Sequence, residues 1–252
     1  MPDLPEDLRR ALTAVAHVPR LLVASDFDGT VAPIVSNPAD ARPIPAAAAA
    51  LARLATLEST SAALISGRAL STLRELSGAP AEVHLVGSHG AEFDADFLDA
   101  IDDAAKQQLT ELKQTLTALA ERYPGATVEK KPVSVAFHVR NTAPAHAQQA
   151  LDDALDAVRN WDIHVTEGKA VREFAVIDTD KGAALEQLRE QLGADAVVYF
   201  GDDVTDEKGF RRLGDGDIGV KVGPGETQAR YRVDSPDDVA TALEFLLDAR
   251  RD

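Results

Sequence analysis

The stretch LLVASDFDGT, residues 21–30, begins as an apolar run and ends with two aspartates, Asp26 and Asp28. A short apolar run followed by turn residues is typical of a strand that is buried on both faces of a parallel sheet. Ligands of open parallel sheets bind beyond the carboxyl ends of the strands. Two carboxylates, a glycine that permits a tight bend and the hydroxyl of Thr30 therefore indicate a site for a divalent cation and a phosphate group. An ordinary Asp-Gly turn is the alternative that this stretch alone leaves open.

Outside the middle third of the chain, apolar runs of this kind alternate with helical patterns. Strands are predicted at 21–25, 61–65, 83–87, 196–200 and 217–221. Helices are predicted at 4–17, 46–57, 68–77, 181–192, 205–213 and 237–250. This alternation predicts an α/β fold with a Rossmann-like, doubly wound parallel sheet.

The middle third has a different order of elements, α-β-β-α-β-β. Its predicted segments are 99–121, 126–130, 133–140, 144–159, 162–166 and 169–177. Short links between paired strands predict an antiparallel sheet with helices packed on one side. We therefore predict an α+β cap domain at 95–177, inserted into a core domain that consists of 1–94 and 178–252.

The predicted cap strands alternate between apolar and polar residues, as strands with one buried face do. Val135 and Phe137 belong to the face that is expected to pack on the helices. The opposite face collects Glu129, Lys131, Ser134, His138, Arg140, Lys169 and Glu173. This polar face is either a solvated surface, which is common in antiparallel sheets, or a surface that binds the hydroxyl groups of a substrate.

Composition excludes several classes of function. The chain has 252 residues, 45% of them hydrophobic, so it can bury a substantial core. Its formal net charge is −16, which repels nucleic acid and anionic membranes, and neither is an expected partner. The absence of cysteine excludes disulfides, thiolate catalysis and cysteine-ligated zinc. No membrane span and no signal peptide are predicted, so a cytoplasmic location is expected.

Two further residues lie where a predicted strand or loop meets a helix. Ser66 follows an apolar run, and its hydroxyl and the amides after it could hold a phosphate group. A helix N-cap is an equally good interpretation of Ser66. Lys181 lies in the first turn of a predicted helix, where a positive charge opposes the helix dipole. That local disadvantage favours a role in holding the nucleophile and the phosphate by charge, although a surface lysine is the alternative.

Asp202, Asp203 and Asp206 form a dense acidic cluster after the predicted strand 196–200. Carboxylates so close together repel one another unless a cation lies between them. A solvated helix start could hold some of them, since acidic residues suit the first turn. Oxygen-only ligands and a phosphate substrate favour Mg²⁺ over zinc as the cation.

The residues 26–30, 64–68, 180–182 and 201–207 resemble, in this order, the four motifs of the haloacid dehalogenase superfamily of phosphatases. More closely, the chain resembles the trehalose-6-phosphate phosphatases. The matching segments are Asp26–Ile34 (DFDGTVAPI), Ser66–Arg68 (SGR), Gly87–Glu92 (GSHGAE), the stretch 129–140 and Gly201–Glu207 (GDDVTDE). The resemblance covers nearly all of the chain after about residue 20.

The resemblance implies that the protein hydrolyses trehalose 6-phosphate with Mg²⁺ through an aspartyl-phosphate intermediate. Asp26 would be the nucleophile, as its chemistry also suggests, and Asp28 would protonate the leaving oxygen and later deprotonate the attacking water. Ser66 and Lys181 would complete the catalytic group. The implied metal site contains Asp26, Asp28 through its backbone carbonyl, Asp202, Asp203 and Asp206.

The resemblance also implies a set of residues close to the substrate. On the core these are Gly67, Arg68, His89 and Glu92, and on the cap they are Glu129, Lys131, Arg140, Lys169 and Glu173; the strand alternation adds His138. A separate trehalose-6-phosphate synthase is expected to supply the substrate, and the sequence does not indicate an oligomeric state. The alternatives are a phosphatase for sucrose phosphate or a mannosyl phosphate, and a non-catalytic sugar-phosphate sensor. The pair Asp26 and Asp28 argues against a sensor, because binding alone does not require a nucleophile.

Overall fold

The computed structural model describes residues 4–93, 103–131, 133–168, 170–176 and 180–251. Residue contacts divide the chain into two units, Met1–Asp96 with Asp180–Asp252, and Phe97–Thr179. The predicted domain boundaries, 94/95 and 177/178, involve residues outside the described ranges and stay predictions. Among the described helices, none is long and apolar enough to cross a membrane.

The described residues contain eleven strands and eight α-helices. The strands are β1 (Leu21–Ser25), β2 (Thr60–Ile65), β3 (Val83–Gly87), β4 (Glu92–Phe93), β5 (Thr127–Lys130), β6 (Ser134–His138), β7 (His164–Gly168), β8 (Val171–Ala175), β9 (Ala196–Gly201), β10 (Ile218–Val222) and β11 (Tyr231–Val233). The helices are α1 (Glu6–Val15), α2 (Pro45–Leu54), α3 (Leu70–Ser77), α4 (Asp103–Ala120), α5 (Pro144–Ala157), α6 (Lys181–Leu192), α7 (Asp206–Arg212) and α8 (Pro236–Arg251).

The first unit contains a seven-stranded sheet in the order β11-β10-β9-β1-β2-β3-β4. All neighbouring strands are parallel except β3 and β4, so the predicted doubly wound α/β fold is confirmed. Strands β4 and β11 were not predicted, because two or three residues are too few to show a periodic pattern. All five residues of β1 are buried, as its continuous apolar run requires.

The register of the central strands determines where the functional side chains lie. Ser25, at the end of β1, pairs with Leu64 of β2 on one side and with Phe200 of β9 on the other. The three strands therefore end at nearly the same level. The residues that follow them, including Asp26, Ser66 and Asp202, emerge at one edge of the sheet, where parallel α/β folds bind their ligands.

The second unit contains a four-stranded antiparallel sheet in the order β5-β6-β8-β7. Val135, Phe137 and Phe174 are buried in one apolar cluster with Leu112 and Leu116 of α4, which confirms the predicted packing of the sheet on helices. Strand β7 begins two residues later than predicted. The residue before it, Ile163, packs against the apolar cluster, and its N–H donates to the carbonyl of Trp161, which keeps it in a turn.

Arg250, near the end of α8, joins this helix to two loops of the first unit. Its guanidinium donates hydrogen bonds to the carbonyls of Ala16, Val18, Pro19 and Ser59 and to the hydroxyl of Thr60. We expect Arg250→Ala to lower the free energy of unfolding by about 2–3 kcal/mol, because partly buried carbonyls lose a charged donor. Urea denaturation measures this loss, and the exposed neighbour Arg251 provides the control. Equal stability of Arg250→Ala and Arg251→Ala would contradict the expectation.

Candidate active site

A buried ion-pair network lies at the carboxyl end of β1. Asp26 is the first residue after the strand, and its N–H donates to the carbonyl of Phe200 on β9 at 2.9 Å. The ammonium group of Lys181 lies 2.7 Å from Asp26 Oδ1 and 2.8 Å from Asp206 Oδ1. These three side chains are 4%, 2% and 0% exposed in the order Asp26, Lys181, Asp206. The sequence separates them by up to 180 positions, and the fold brings them together.

Burial and neighbouring charges shift the pKa values of Asp26 and Lys181 in opposite directions. Burial raises the pKa of Asp26 well above its usual value, and the nearby Lys181 opposes that shift. Burial alone would lower the pKa of Lys181, but the charges of Asp26 and Asp206 outweigh it and raise the pKa. Lys181 is therefore a charged ammonium group, and because it is buried, the alternative interpretation as a surface lysine is excluded. Its place at the start of α6 is fixed by Asp180, whose carboxylate accepts a hydrogen bond from the N–H of Ala183.

Both carboxylate oxygens of Asp206 are occupied by donors from the protein. Oδ1 accepts from Lys181 and, at 2.5 Å, from the hydroxyl of Tyr199. Oδ2 accepts from the backbone N–H groups of Asp202 at 2.9 Å and Asp203 at 3.0 Å. Four hydrogen bonds use the acceptor capacity of a carboxylate. Asp206 therefore holds the preceding loop in place and has little capacity left for a direct bond to a metal ion.

Asp202 faces Asp26 across this network. One oxygen from each of Asp26, Asp202 and Asp206 lies within 4.8 Å of the others. Burial, followed by the charges of Asp206 and Asp203, raises the pKa of Asp202 to about 6. The carboxylate of Asp202 also lies against Gly29, where an added Cβ would be 2.1 Å from Oδ2. Gly29 thus makes room for the carboxylate of Asp202, the first residue after β9, and it also adopts a positive φ of 81°.

The donor set fits a divalent cation with oxygen ligands. Asp26 and Asp202 keep free acceptor positions, and both lie where carboxylates of like charge are crowded. Asp203 differs, because its Oδ1 accepts from the N–H and the hydroxyl of Thr205, at 2.8 and 2.7 Å. Although burial acts the other way, these hydrogen bonds lower the pKa of Asp203 to about 2. Asp203 orders the turn before α7, and its side chain is not part of the three-carboxylate cluster among the described residues.

Asp28 is paired with a cation. Arg68 donates to both oxygens of Asp28, from Nε and Nη2, at 2.6 Å each. The Arg68 guanidinium also lies 5.7 Å from the centre of the Phe27 ring. The hydrogen bond to Asp28 raises the pKa of Arg68 further above its usual value, so this arginine is always charged. The structure therefore places the Asp28 carboxylate beside Arg68, and it is not one of the three described carboxylates, Asp26, Asp202 and Asp206, that lie within 4.8 Å of one another.

The loop after β2 contains Ser66, Gly67 and Arg68. The buried hydroxyl of Ser66 accepts from the N–H of Arg68 at 3.2 Å. It does not cap α3, because that helix begins at Leu70 rather than at the predicted residue 68. Gly67 lies beneath the imidazole ring of His89, where an added Cβ would be 2.5 Å from Cε1. The glycine is therefore required by this close approach.

The polar residues of the second unit form two groups on one face of its sheet. Glu129, Ala136 and Glu173 align across β5, β6 and β8. Glu129 contacts His138 at 3.0 Å, and Glu173 accepts from Lys131 at 2.8 Å and from Ser134 at 2.6 Å. Ser134 is buried although the alternation predicted an open face, because it lies in a central strand and bonds to Glu173. Arg140 is exposed, and Lys169 lies outside the described residues.

Sequence reasoning missed two buried residues of the first unit. Tyr199 interrupts the apolar run of β9, and a buried tyrosine generally requires a partner for its hydroxyl. Lys221 interrupts the apolar strand β10, is 4% exposed, and donates to the carbonyls of Asp202 and Val222. A single polar residue within an otherwise apolar strand was the available signal in both cases.

Comparison with known proteins identifies similar sequences over most of the chain. A family model described as trehalose-phosphatase matches residues 24–237. The chain is 36% identical over 241 residues to the trehalose-phosphate phosphatase of Mycobacterium avium, a match that covers 88% of this chain and 61% of the relative. It is 33% identical over 269 residues to that of Mycobacterium leprae, covering 98% and 62%. The chain thus spans about three fifths of the length of these curated relatives.

Solved structures have the same fold. A trehalose-6-phosphate phosphatase of Aspergillus fumigatus aligns with a TM-score of 0.69 and 26% identity, covering 95% of this chain and 97% of that one. The C-terminal domain of a trehalose-6-phosphate phosphatase of C. albicans aligns with a TM-score of 0.63 and 23% identity, covering 98% of both chains. At that identity the second match indicates the fold alone.

Proposed function

Because the chain belongs to the trehalose-phosphatase family, we propose that it hydrolyses trehalose 6-phosphate to trehalose and phosphate. The observation that carries this proposal is the buried contact of Lys181 with Asp26 and Asp206 at the carboxyl end of β1, next to Asp202. A carboxylate that attacks a phosphate ester must approach another anion, so it requires fixed positive charge nearby. Lys181 supplies such a charge 2.7 Å from Asp26.

We further propose that Mg²⁺ is the cofactor, held by the carboxylates of Asp26 and Asp202 and by the backbone carbonyl of Asp28. The free acceptor positions of the two carboxylates support this set, and Asp206 and Asp203 would support it by ordering the loop. When bound, the cation would neutralise charge on the phosphoryl oxygens and draw the carboxylates together. Phosphate recognition would be completed by the hydroxyl of Ser66 and the ammonium group of Lys181.

In the proposed first step, Asp26 Oδ attacks phosphorus and forms an aspartyl-phosphate, while the bond from phosphorus to the sugar oxygen breaks. Asp28, which must enter this step protonated, gives its proton to that oxygen, so that trehalose leaves as a neutral alcohol and Asp28 becomes the carboxylate that acts as the base in the second step. In the second step, Asp28 removes a proton from water, which attacks phosphorus and releases phosphate and free Asp26. Arg68 must release or share the carboxylate of Asp28 for both proton transfers, since its two hydrogen bonds now occupy both oxygens.

The polar face of the second unit is the proposed sugar-binding surface. Disaccharide hydroxyls require several donors and acceptors in fixed positions, and the pairs Glu129–His138 and Lys131–Glu173 provide them. Gly67, Arg68 and His89 are proposed to lie near the substrate on the first unit. The substrate itself must be made by a glycosyl transfer onto a sugar phosphate, which a separate synthase would perform.

Phosphate release from a panel of sugar phosphates tests this function. We expect the highest kcat/KM with trehalose 6-phosphate, lower values with sucrose phosphate and mannosyl phosphates, and loss of turnover when a chelator removes divalent metal. Addition of Mg²⁺ should restore turnover. A higher kcat/KM with another sugar phosphate would show that this other compound is the substrate. Binding of trehalose 6-phosphate without any turnover would indicate a sensor instead.

We expect Arg140→Ala to raise KM for trehalose 6-phosphate by about 10- to 100-fold, because a charged donor to the substrate is lost. Hydrolysis of a small artificial phosphate ester should change little, since it has no sugar to recognise. Lys130→Ala is the matched control: Lys130 is exposed on β5, and the strand alternation places its side chain on the face opposite Glu129. An equal loss of kcat/KM on both substrates would show that Arg140 does not take part in sugar recognition.

A further inference from the structure

Glu92 has both of its carboxylate oxygens engaged within the first unit. Oε1 accepts a hydrogen bond from the hydroxyl of Ser88, and Oε2 accepts one from the N–H of Leu70 at 3.3 Å. Leu70 is the first residue of α3, and the residue before it, Ala69, provides no side-chain cap. Glu92 therefore supplies, from 22 residues away, a capping acceptor that the local sequence lacks.

The turn at Ser88 and His89 contacts the same loop from a second side. The N–H of Ser88 donates to the carbonyl of Arg68 at 2.7 Å, and the N–H of His89 donates to the carbonyl of Ser66 at 2.9 Å. Both turn residues have positive φ, 49° and 57°, a region that residues other than glycine rarely adopt. Such a conformation persists only where surrounding contacts impose it, and the bond from Ser88 to Glu92 is one of these contacts.

The loop that these contacts hold, Ser66–Leu70, carries groups of the candidate active site. The hydroxyl of Ser66 accepts from the N–H of Arg68, and the guanidinium of Arg68 holds both oxygens of Asp28. A displacement of this loop would therefore move Ser66 and Asp28 together. Displacements of about 1 Å can lower turnover by about 100-fold even when the altered residue lies outside the reacting group.

We propose that Glu92 is a positioning residue that holds the Ser66–Leu70 loop, instead of a residue that contacts the substrate as the sequence suggests. This inference rests on the proposed phosphatase function for its effect on turnover, but its structural part does not. One oxygen of Glu92 binds the hydroxyl of Ser88, whose N–H in turn donates to the carbonyl of Arg68 in the loop. The other oxygen binds the N–H of Leu70 directly. The role requires a hydrogen-bond acceptor and a partner for Ser88, and it does not require a negative charge.

Two substitutions at Glu92 separate a positioning role from a charged one. In Glu92→Gln the amide oxygen can still accept from Leu70 N–H, and the amide NH₂ can donate to Ser88 Oγ, so both contacts can be kept and only the hydrogen bond with Ser88 changes direction. Glu92→Ala removes both contacts. We expect Glu92→Ala to lower kcat by about 100-fold on both trehalose 6-phosphate and a small artificial ester, with little change in KM. Glu92→Gln should recover most of this turnover.

Hydrogen exchange of peptides that cover 66–76 provides a readout that does not depend on activity. We expect faster exchange in Glu92→Ala than in the wild type, and near-normal exchange in Glu92→Gln. An increase of KM confined to trehalose 6-phosphate, with normal exchange, would make Glu92 a substrate contact and overturn the inference. A loss of turnover in Glu92→Gln as large as in Glu92→Ala would show that the charge is required, and would also overturn it.

Further variants cover the remaining outcomes. If Glu92→Ala does not fold, Ser88→Ala removes one of the two contacts, and it should give a smaller loss of kcat on both substrates together with faster exchange; unchanged kcat and exchange would overturn the inference. Glu75→Ala is the control, since Glu75 is an exposed glutamate on α3 itself. If the wild type does not hydrolyse trehalose 6-phosphate, the proposed substrate fails, while exchange and the small ester still test the role of Glu92.

Discussion

Replacement of Asp26 by asparagine is expected to abolish turnover and leave the fold intact. Asparagine cannot attack phosphorus as a carboxylate does, and loss of a nucleophile typically lowers kcat by about 10⁴-fold or more. The free energy of unfolding should change by less than about 1 kcal/mol. Lys181 would keep Asp206 as a charged partner at 2.8 Å, and the amide oxygen of asparagine could still accept a hydrogen bond from it.

The reason for this tolerance lies in the charge balance of the network. Asp26 and Asp206 surround the single ammonium group of Lys181, and burial disfavours the charged form of Asp26. Removal of one buried carboxylate leaves one ion pair whose charges cancel. Turnover is measured by phosphate release and stability by urea denaturation, with Asp215→Asn, the same substitution at an exposed position, as the control. Substantial turnover in Asp26→Asn would refute the assigned nucleophile, and an unfolded variant would refute the account of the network.

The sequence was sufficient to predict the α/β core because its signals were local. Buried parallel strands such as β1 and β9 appear as short apolar runs, and the polar residues that follow them must emerge at the carboxyl edge of the sheet. That rule correctly brought Asp26 and Asp202 to one place. In the second unit, strict alternation predicted which face of β6 is buried, and Val135 and Phe137 are indeed in the apolar cluster.

The partners of individual side chains could not be predicted, because they depend on register and on atoms from distant elements. Nothing in the sequence indicated that Arg68 donates hydrogen bonds to both oxygens of Asp28. Likewise, the number of donors around Asp206 follows from the close approach of β9, α6 and the loop between Gly201 and α7. An acidic cluster in sequence therefore predicts a cation site, but only coordinates separate a carboxylate with free lone pairs from one that is fully used.

Lys181→Met is expected to have the largest effect on stability. The substitution keeps the length and apolar body of the side chain but removes the ammonium group from two buried carboxylates, Asp26 and Asp206. Breaking a buried ion pair from one side typically costs about 3–5 kcal/mol, because it leaves uncompensated charge in the interior. Urea denaturation in a chelator measures this loss without any contribution from bound cations. Lys208→Met, at a half-exposed lysine on α7 whose ammonium group lies 3.5 Å from Asp180, is the control and should cost far less.

The double variant Asp26→Asn/Lys181→Met gives the decisive comparison. If the cost of Lys181→Met comes from repulsion and desolvation of two carboxylates, removal of one of them should recover part of the lost stability, so that the double variant is more stable than Lys181→Met alone. Residues that share one network show such non-additive effects, whereas independent sites add. Mg²⁺ should likewise stabilise Lys181→Met, since a cation near Asp26 and Asp202 offsets the charge that the lysine no longer balances. Additive losses in the double variant would mean that Lys181 acts through packing, and the electrostatic role that the proposed mechanism gives it would fail.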